Sequence, residues 1–162
     1  KMHKYLQLLF GFLLVVSCDS KMIYDQYQPI ENHQWSSENK IEFIVDNTDT
    51  ISKKNVFINI RNNKAYEYSS LFLIAKIEFP KGIRVIDTLE YEMADVQGKW
   101  LGTGFTDVKE NKLFYKENVS FAEKGTYKFS IQQVTRGIND IEGKKPLNGI
   151  TDVGLSIEIV KK

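Results

Sequence analysis

From residue 41 onward, apolar and polar side chains alternate with a period of two. Ile41, Phe43 and Val45 are interleaved with Glu42 and Asp46, and Val56, Ile58 and Ile60 with Asn59 and Arg61. Tyr127, Phe129, Ile131 and Gln133 take turns with Lys128, Ser130 and Gln132. Val153, Leu155, Ile157 and Ile159 do so with Gly154, Ser156 and Glu158. Successive side chains of an extended chain point to opposite faces, so each run predicts a strand with one face in the core and one in water. Leu71 to Phe79 is apolar on both faces at its start and predicts a central strand.

The breaks between runs are rich in turn formers: Asn47-Thr48-Asp49, Arg61 to Lys64, Pro80-Lys81-Gly82, Glu123-Lys124-Gly125 and Asn139 to Gly149. Asn and Asp bond their own backbone there, and Gly and Pro supply the dihedrals. Beyond the N-terminus no window holds helical spacing; residues 92–97 predict one short turn of helix. Roughly seven to nine short strands with turns between them predict an all-β fold, a single antiparallel β-sandwich of Ig-like or jelly-roll-like form.

The first seventeen residues break this pattern. Lys1, His3 and Lys4 form a basic head, and Leu6 to Val16 is apolar apart from Gln7 and Gly11. Val15-Val16-Ser17-Cys18 follows, and then polar Asp19-Ser20-Lys21. A basic head, a short apolar stretch and small residues before a cut make a secretory signal. The stretch is well short of the ~20 residues that span a bilayer as a helix. Its end resembles the lipobox of bacterial lipoproteins, in which the cysteine thiol receives a diacylglycerol and the new amine is acylated. That resemblance implies Cys18 as a lipidation site. Two or three acyl chains make a stable anchor where one binds only marginally. The division expected is a signal peptide over 1–17, a lipidated N-terminus and tether over 18–35, and the β-sandwich over 36–162.

Composition narrows the function. The 162 residues carry 22 Lys and Arg against 21 Asp and Glu, so no basic surface for nucleic acid is expected. Cys18 is the single cysteine, which excludes an intramolecular disulfide and a cysteine-based metal site.

Candidate chemistry is sparse. His33 is the one histidine after the signal, too little for a triad without a nominated serine. Asp46-Asn47-Thr48-Asp49 offers oxygen ligands but lacks the spacing of a calcium loop, and turn chemistry explains it better. Gly102-Thr103-Gly104 has no helix after it to form a phosphate cradle. Glu90 and Glu92 share a strand face, a common pattern of solvated surfaces. No metal or cofactor is expected. Aromatic residues make up 12% of the chain. Trp35, Tyr66, Tyr68, Tyr91, Trp100 and Tyr115 form either a stacking platform for sugars, a contact patch for a protein, or core filling.

Several stretches together carry a family likeness. They are Asp87-Thr88-Leu89-Glu90, Ala94-Asp95, Gly98-Lys99-Trp100-Leu101-Gly102-Thr103-Gly104, Phe121, Gly125-Thr126-Tyr127, Gln132-Gln133 and Gly149-Ile150-Thr151-Asp152-Val153-Gly154-Leu155. With the signal ending in Cys18, these resemble the gliding motility lipoprotein GldH family of the Bacteroidota, over about residues 30–159. The resemblance implies a cell-envelope lipoprotein that supports gliding in motile members, tied to the type IX secretion system. It brings no catalytic residues and implies a non-enzyme. The partners implied are the membrane, through the lipid, and other gliding or secretion lipoproteins and envelope proteins. Trp100, Gly102 and Gly104 make the candidate contact loop. The expected place is the outer membrane, facing the periplasm. A glycan-binding envelope lipoprotein is the alternative, and a hydrolase built around His33 comes third.

Overall fold

The computed structural model describes residues 21–137, 141–143 and 145–161. The signal stretch and Cys18 lie outside them. Among the described residues ten strands run in chain order: β1 (Lys21–Pro29), β2 (Gln34–Trp35), β3 (Ile41–Asn47), β4 (Lys53–Asn62), β5 (Ser70–Glu78), β6 (Arg84–Glu92), β7 (Lys109–Ser120), β8 (Gly125–Gln133), β9 (Leu147–Asn148) and β10 (Ile150–Ile159). A single 3-10 turn, Glu31–His33, precedes β2. One sheet has the order β1-β10-β4-β7, the other β3-β8-β5-β6, and β2 pairs with β9. Every pairing is antiparallel.

Setting aside β2 and β9, the first long strand pairs with the last, β1 with β10, and the second with the penultimate, β3 with β8. The chain then steps from sheet to sheet at each link except the β5–β6 hairpin. This nesting is the jelly-roll form of the expected sandwich. An Ig-like order would keep the first two strands in one sheet; here they lie in different ones.

Alternation along β3 comes out as expected, with Ile41, Phe43 and Val45 buried and Glu42, Ile44 and Asp46 exposed. Together with Val56, Ile58 and Ile60 of β4, Leu73 and Ala75 of β5, and Val153, Leu155 and Ile157 of β10, they form one core between the sheets. Each of these side chains larger than alanine is worth about 1.5–3 kcal/mol when fully buried.

Three features depart from the sequence expectation. Residues 21–35, expected as part of the tether, are packed into the sandwich, since β1 pairs along its length with β10 and Trp35 of β2 is fully buried. Residues 92–97 are not helical. Asp95 closes a tight turn instead, its carboxylate accepting from the backbone N–H of Gln97 and Lys99, both at 2.9 Å. An Asp carboxylate that captures nearby N–H groups competes directly with a helical turn. Finally, the second face of β10 is not in water: Gly154, Ser156 and Glu158 are all buried. Long side chains from flanking strands lie over it. Tyr27 of β1 reaches across to Glu110 of β7 (2.9 Å), and the Arg61 guanidinium sits 3.9 Å from the Tyr27 ring centre. Beneath, Asn59 donates to the Ser156 hydroxyl at 2.9 Å.

The two ends of the sandwich are unlike. One collects the turns 47–53, 79–83 and 120–125 together with the start of β1 at Lys21, which pairs with Ile159. The other collects the longer links 30–40, 63–69, 93–108 and 134–149.

Candidate contact surface

The link over residues 93–108 leaves β6 and returns as β7 after two small turns. Met93 and Ala94 donate their N–H groups to Ser69 O, which ties the start of the link to the neighbouring 63–69 loop. The first turn is closed by Asp95 N to Lys99 O and Gly98 N to Asp95 O, each 2.9 Å, with Gly98 at φ +80°. That left-handed backbone is where glycine carries least penalty. Val96 stands at its tip, 99% exposed.

Trp100 bridges back to Ala94, and Leu101 N donates to Met93 O at 3.0 Å. The second turn is framed by a reciprocal pair of 2.8 Å bonds between Thr103 and Glu110. Gly102 faces Asn111 and the Lys109 stem so closely that a Cβ would come within 2.9 Å of both. Gly104, at φ +136°, leaves room for Val108 O in the same way. Phe105 follows with its ring entirely in solvent.

Trp100, Gly102 and Gly104 are thus brought together in one loop, but they share the work unequally. Trp100 is half-buried, its ring 5.8 Å from Tyr66. Tyr66 is in the core, donates to Ser70 O at 2.8 Å, and has Tyr68 edge-on at 5.9 Å. Burial pushes the Tyr66 hydroxyl well above its ordinary pKa. The indole is therefore the footing of the loop, and the two glycines set its path. The apolar side chains offered to solvent are Val96, Leu101 and Phe105. None of the three is among the contact residues expected from the sequence. Their signal was a lone apolar residue set among turn formers: Asp95 and Gly98 around Val96, Gly104 and Asp107 around Phe105.

The other candidates are dispersed. Trp35 and Tyr66 are buried and Tyr115 nearly so, which leaves no exposed row of aromatics among the residues considered for sugar stacking. His33 is exposed at φ +54°, its Nδ1 3.5 Å from the Asn63 amide. Within the segment 46–49, Asp46 accepts from Thr126 (2.7 Å), Asn47 donates to the carbonyls of Phe121 and Glu123, and Asp49 accepts from Ile51 and Ser52 N–H. These are turn and cross-strand bonds. No group of three or more His, Cys, Asp or Glu that could hold a metal gathers among the described residues. A recess of about 250 Å³ near β6 and β7 is lined by apolar groups such as Phe79, Val85 and Phe121, with no carboxylate in its lining.

Comparison with known proteins identifies the family. The GldH lipoprotein family model matches residues 22–157. The Gliding motility lipoprotein GldH homolog of Christiangramia forsetii is 52% identical over 150 residues, covering 93% of this chain and 91% of that protein. The Gliding motility lipoprotein GldH of Flavobacterium johnsoniae is 44% identical over 151 residues, covering 93% of each. Among solved structures, one of the infectious bursal disease virus Gx strain aligns at a TM-score of 0.42 and 16% identity, over 87% of this chain and 32% of that one. That likeness is too slight to bear on fold or function. The family match spans every long strand of the sandwich and the Trp100 loop, so the chain belongs to the GldH lipoprotein family.

Proposed function

We propose that this protein is a lipid-anchored envelope lipoprotein that supports gliding, and the type IX secretion machinery tied to it, through protein contacts made by its 93–108 loop. Cys18 carries the lipid, residues 1–17 are the signal, and the domain faces the periplasm from the outer membrane. The relatives' names support the gliding role.

The observation that carries the contact reading is the polarity of the sandwich. Two residues, Asp19 and Ser20, separate Cys18 from Lys21. β1 then runs away from that point for nine residues, about 30 Å at ~3.3 Å per residue. An anchor at Cys18 therefore directs the opposite end, with the 93–108 loop, away from the bilayer. Val96, Leu101 and Phe105 stand there among Gln97, Lys99, Thr106 and Asp107, apolar side chains rimmed by polar ones. Such a patch suits a protein partner. The burial of Trp35, Tyr66 and Tyr115 weighs against the glycan alternative.

The test is photo-crosslinking in intact cells from a reactive residue placed at position 105, with a second at exposed position 44 on the side of the sandwich. Recovery of gliding or secretion components from 105 and not from 44 is the expected result. Recovery of only sugars or lipids from 105 would sink it.

A further inference from the structure

The end of the sandwich that carries Lys21 is built unlike a free surface. Its three turns are bonded to one another. Asn47 Nδ2 donates to Phe121 O (3.1 Å) and Glu123 O (2.9 Å), and Lys81 N lies 3.3 Å from the Glu123 carboxylate. The turn at 49–52 is stapled from inside. Asp49 Oδ1 accepts from Ile51 N and Ser52 N, both at 3.0 Å. The fully buried Lys54 ammonium donates to Asp49 O at 2.7 Å and Ser52 O at 3.2 Å.

This tightly held turn presents Ile51 to solvent at 87% exposure. The neighbouring turn does the same with Ile83, 61% exposed. There Phe79 N donates to Ile83 O and Gly82 N to Phe79 O, each 2.8 Å. Among the described residues, the exposed lysines at this end are Lys21, Lys53, Lys81, Lys124 and Lys161. Its acids are mostly engaged in the turns or strands: Asp46 with Thr126, Asp49 with the 49–52 backbone, Glu78 with Arg84, and Glu123 with the Lys81 N–H. Glu117 is exposed farther along β7.

We infer that this end is a bilayer-seating face, in which the Ile51 and Ile83 side chains enter the headgroup–acyl boundary and the lysines around them meet anionic lipid headgroups. The inference rests on the proposed anchoring at Cys18. The chain outside the structure decides the occupant: three Cα steps from Cys18 to Lys21 reach at most about 11 Å. A lipidated Cys18 then keeps this end of the sandwich beside the bilayer and makes the lipid surface its nearest neighbour. Apolar tips ringed by lysines match the chemistry of an interfacial contact, burying apolar area while cations face anionic headgroups. Seating fixes the tilt of the domain, and so the height of the 93–108 loop. A lipid tether alone would not.

The test uses the full-length lipoprotein in vesicles of phosphatidylethanolamine and phosphatidylglycerol. An environment-sensitive fluorescent amino acid is placed at 51, at 83 or, as a control, at 105. Co-flotation with the vesicles reads anchoring, and emission reads the surroundings of each position. Flotation with blue-shifted emission at 51 and 83, and water-like emission at 105, is the expected result. The shift should shrink when Lys53, Lys81 and Lys124 are replaced by Glu. Flotation with water-like emission at 51 and 83 overturns the seating face and leaves the anchor standing. A shift at these positions that appears only in whole envelopes, and not in vesicles, means a protein occupant and overturns it too. Loss of flotation overturns both the anchor and the seating.

Discussion

The ring of Tyr27 lies directly over Gly154: a Cβ at position 154 would come within 2.7 Å of the tyrosine Cδ1. The two residues are register partners on β1 and β10. The missing side chain is what lets the phenol cross β10 to reach Arg61 on β4 and Glu110 on β7. One aromatic residue thereby touches the other three strands of its sheet. This gives a physical reason for the second glycine of the Gly149 to Leu155 segment.

Gly154→Ala is accordingly expected to destabilise by steric overlap alone, about 1–3 kcal/mol, the usual range for forcing a methyl into a packed site. Thermal unfolding of the variant gives the number. A double-mutant cycle with Tyr27→Ala gives the cause: the cost of the alanine should fall when the ring is absent. Strict additivity of the two would show that the overlap is not what matters.

Gly149 is held more severely. It sits at φ +84°, and a Cβ there would lie 2.2 Å from Tyr66 N, where the 63–69 loop crosses the start of β10. Gly82, at φ +87°, has open space around it. Both substitutions to Ala carry the left-handed backbone penalty, about 1–2 kcal/mol. Gly149→Ala adds a backbone collision that no rotamer relieves, so its loss should be on the order of 4 kcal/mol or more. Chemical denaturation of the pair checks the difference. Equal losses would mean the 63–69 loop yields easily.

What the sequence disclosed follows the depth of each element. β3, β4, β5, β8 and β10 face the core strongly, and their apolar positions betray them. β1, β6 and β7 lie at sheet edges, where Lys-Met-Ile-Tyr-Asp-Gln-Tyr-Gln-Pro and Lys-Glu-Asn-Lys read as polar chain. Edge position alone does not hide a strand, since β3 is an edge too and alternates cleanly. But β1 and β6 bury no residue fully and β7 only Asn111 and Tyr115, too little for alternation to show. Charged residues there discourage pairing with another chain. The Tyr27, Arg61 and Glu110 cluster was hidden for a different reason: it depends on strand register, which no local window contains. At the loop, Trp100 and its glycines stood out by composition. Which apolar residues face outward was decided by turn geometry, and so Val96 and Phe105 went unseen.

Alkaline pH should unfold the domain through its tyrosines. Burial, followed by the nearby Asp87 carboxylate, pushes the Tyr91 hydroxyl up from 10.0 to about 12. Burial also raises Tyr66, Tyr115 and Tyr27, with added contributions from Asp87 at Tyr115 and from Glu110 at Tyr27. A phenol whose folded pKa exceeds its unfolded one keeps its proton longer in the native state, so stability is fully present below pH 10. It then declines as pH climbs through the folded values. Denaturation curves taken across this window should show a fall that begins near pH 10, with phenolate absorbance rising as unfolding proceeds. Full tyrosine ionisation with the fold intact would contradict the burial of these hydroxyls.

Footing and contact can be separated within the 93–108 loop. Phe105→Ser removes a ring that touches only solvent, so stability should change by no more than about 0.5 kcal/mol. Trp100→Ala removes a half-buried ring packed on Tyr66 and should cost about 2 kcal/mol, less than the full price of a buried tryptophan. If the outward side chains make the contact, partner capture should drop sharply with Phe105→Ser while the unfolding midpoint stays put. Trp100→Ala should weaken both together, because the loop loses the support that holds Val96, Leu101 and Phe105 in place. A capture yield that follows Trp100 alone, and ignores Phe105 and Val96, would make the indole itself the contact and the exposed tips incidental.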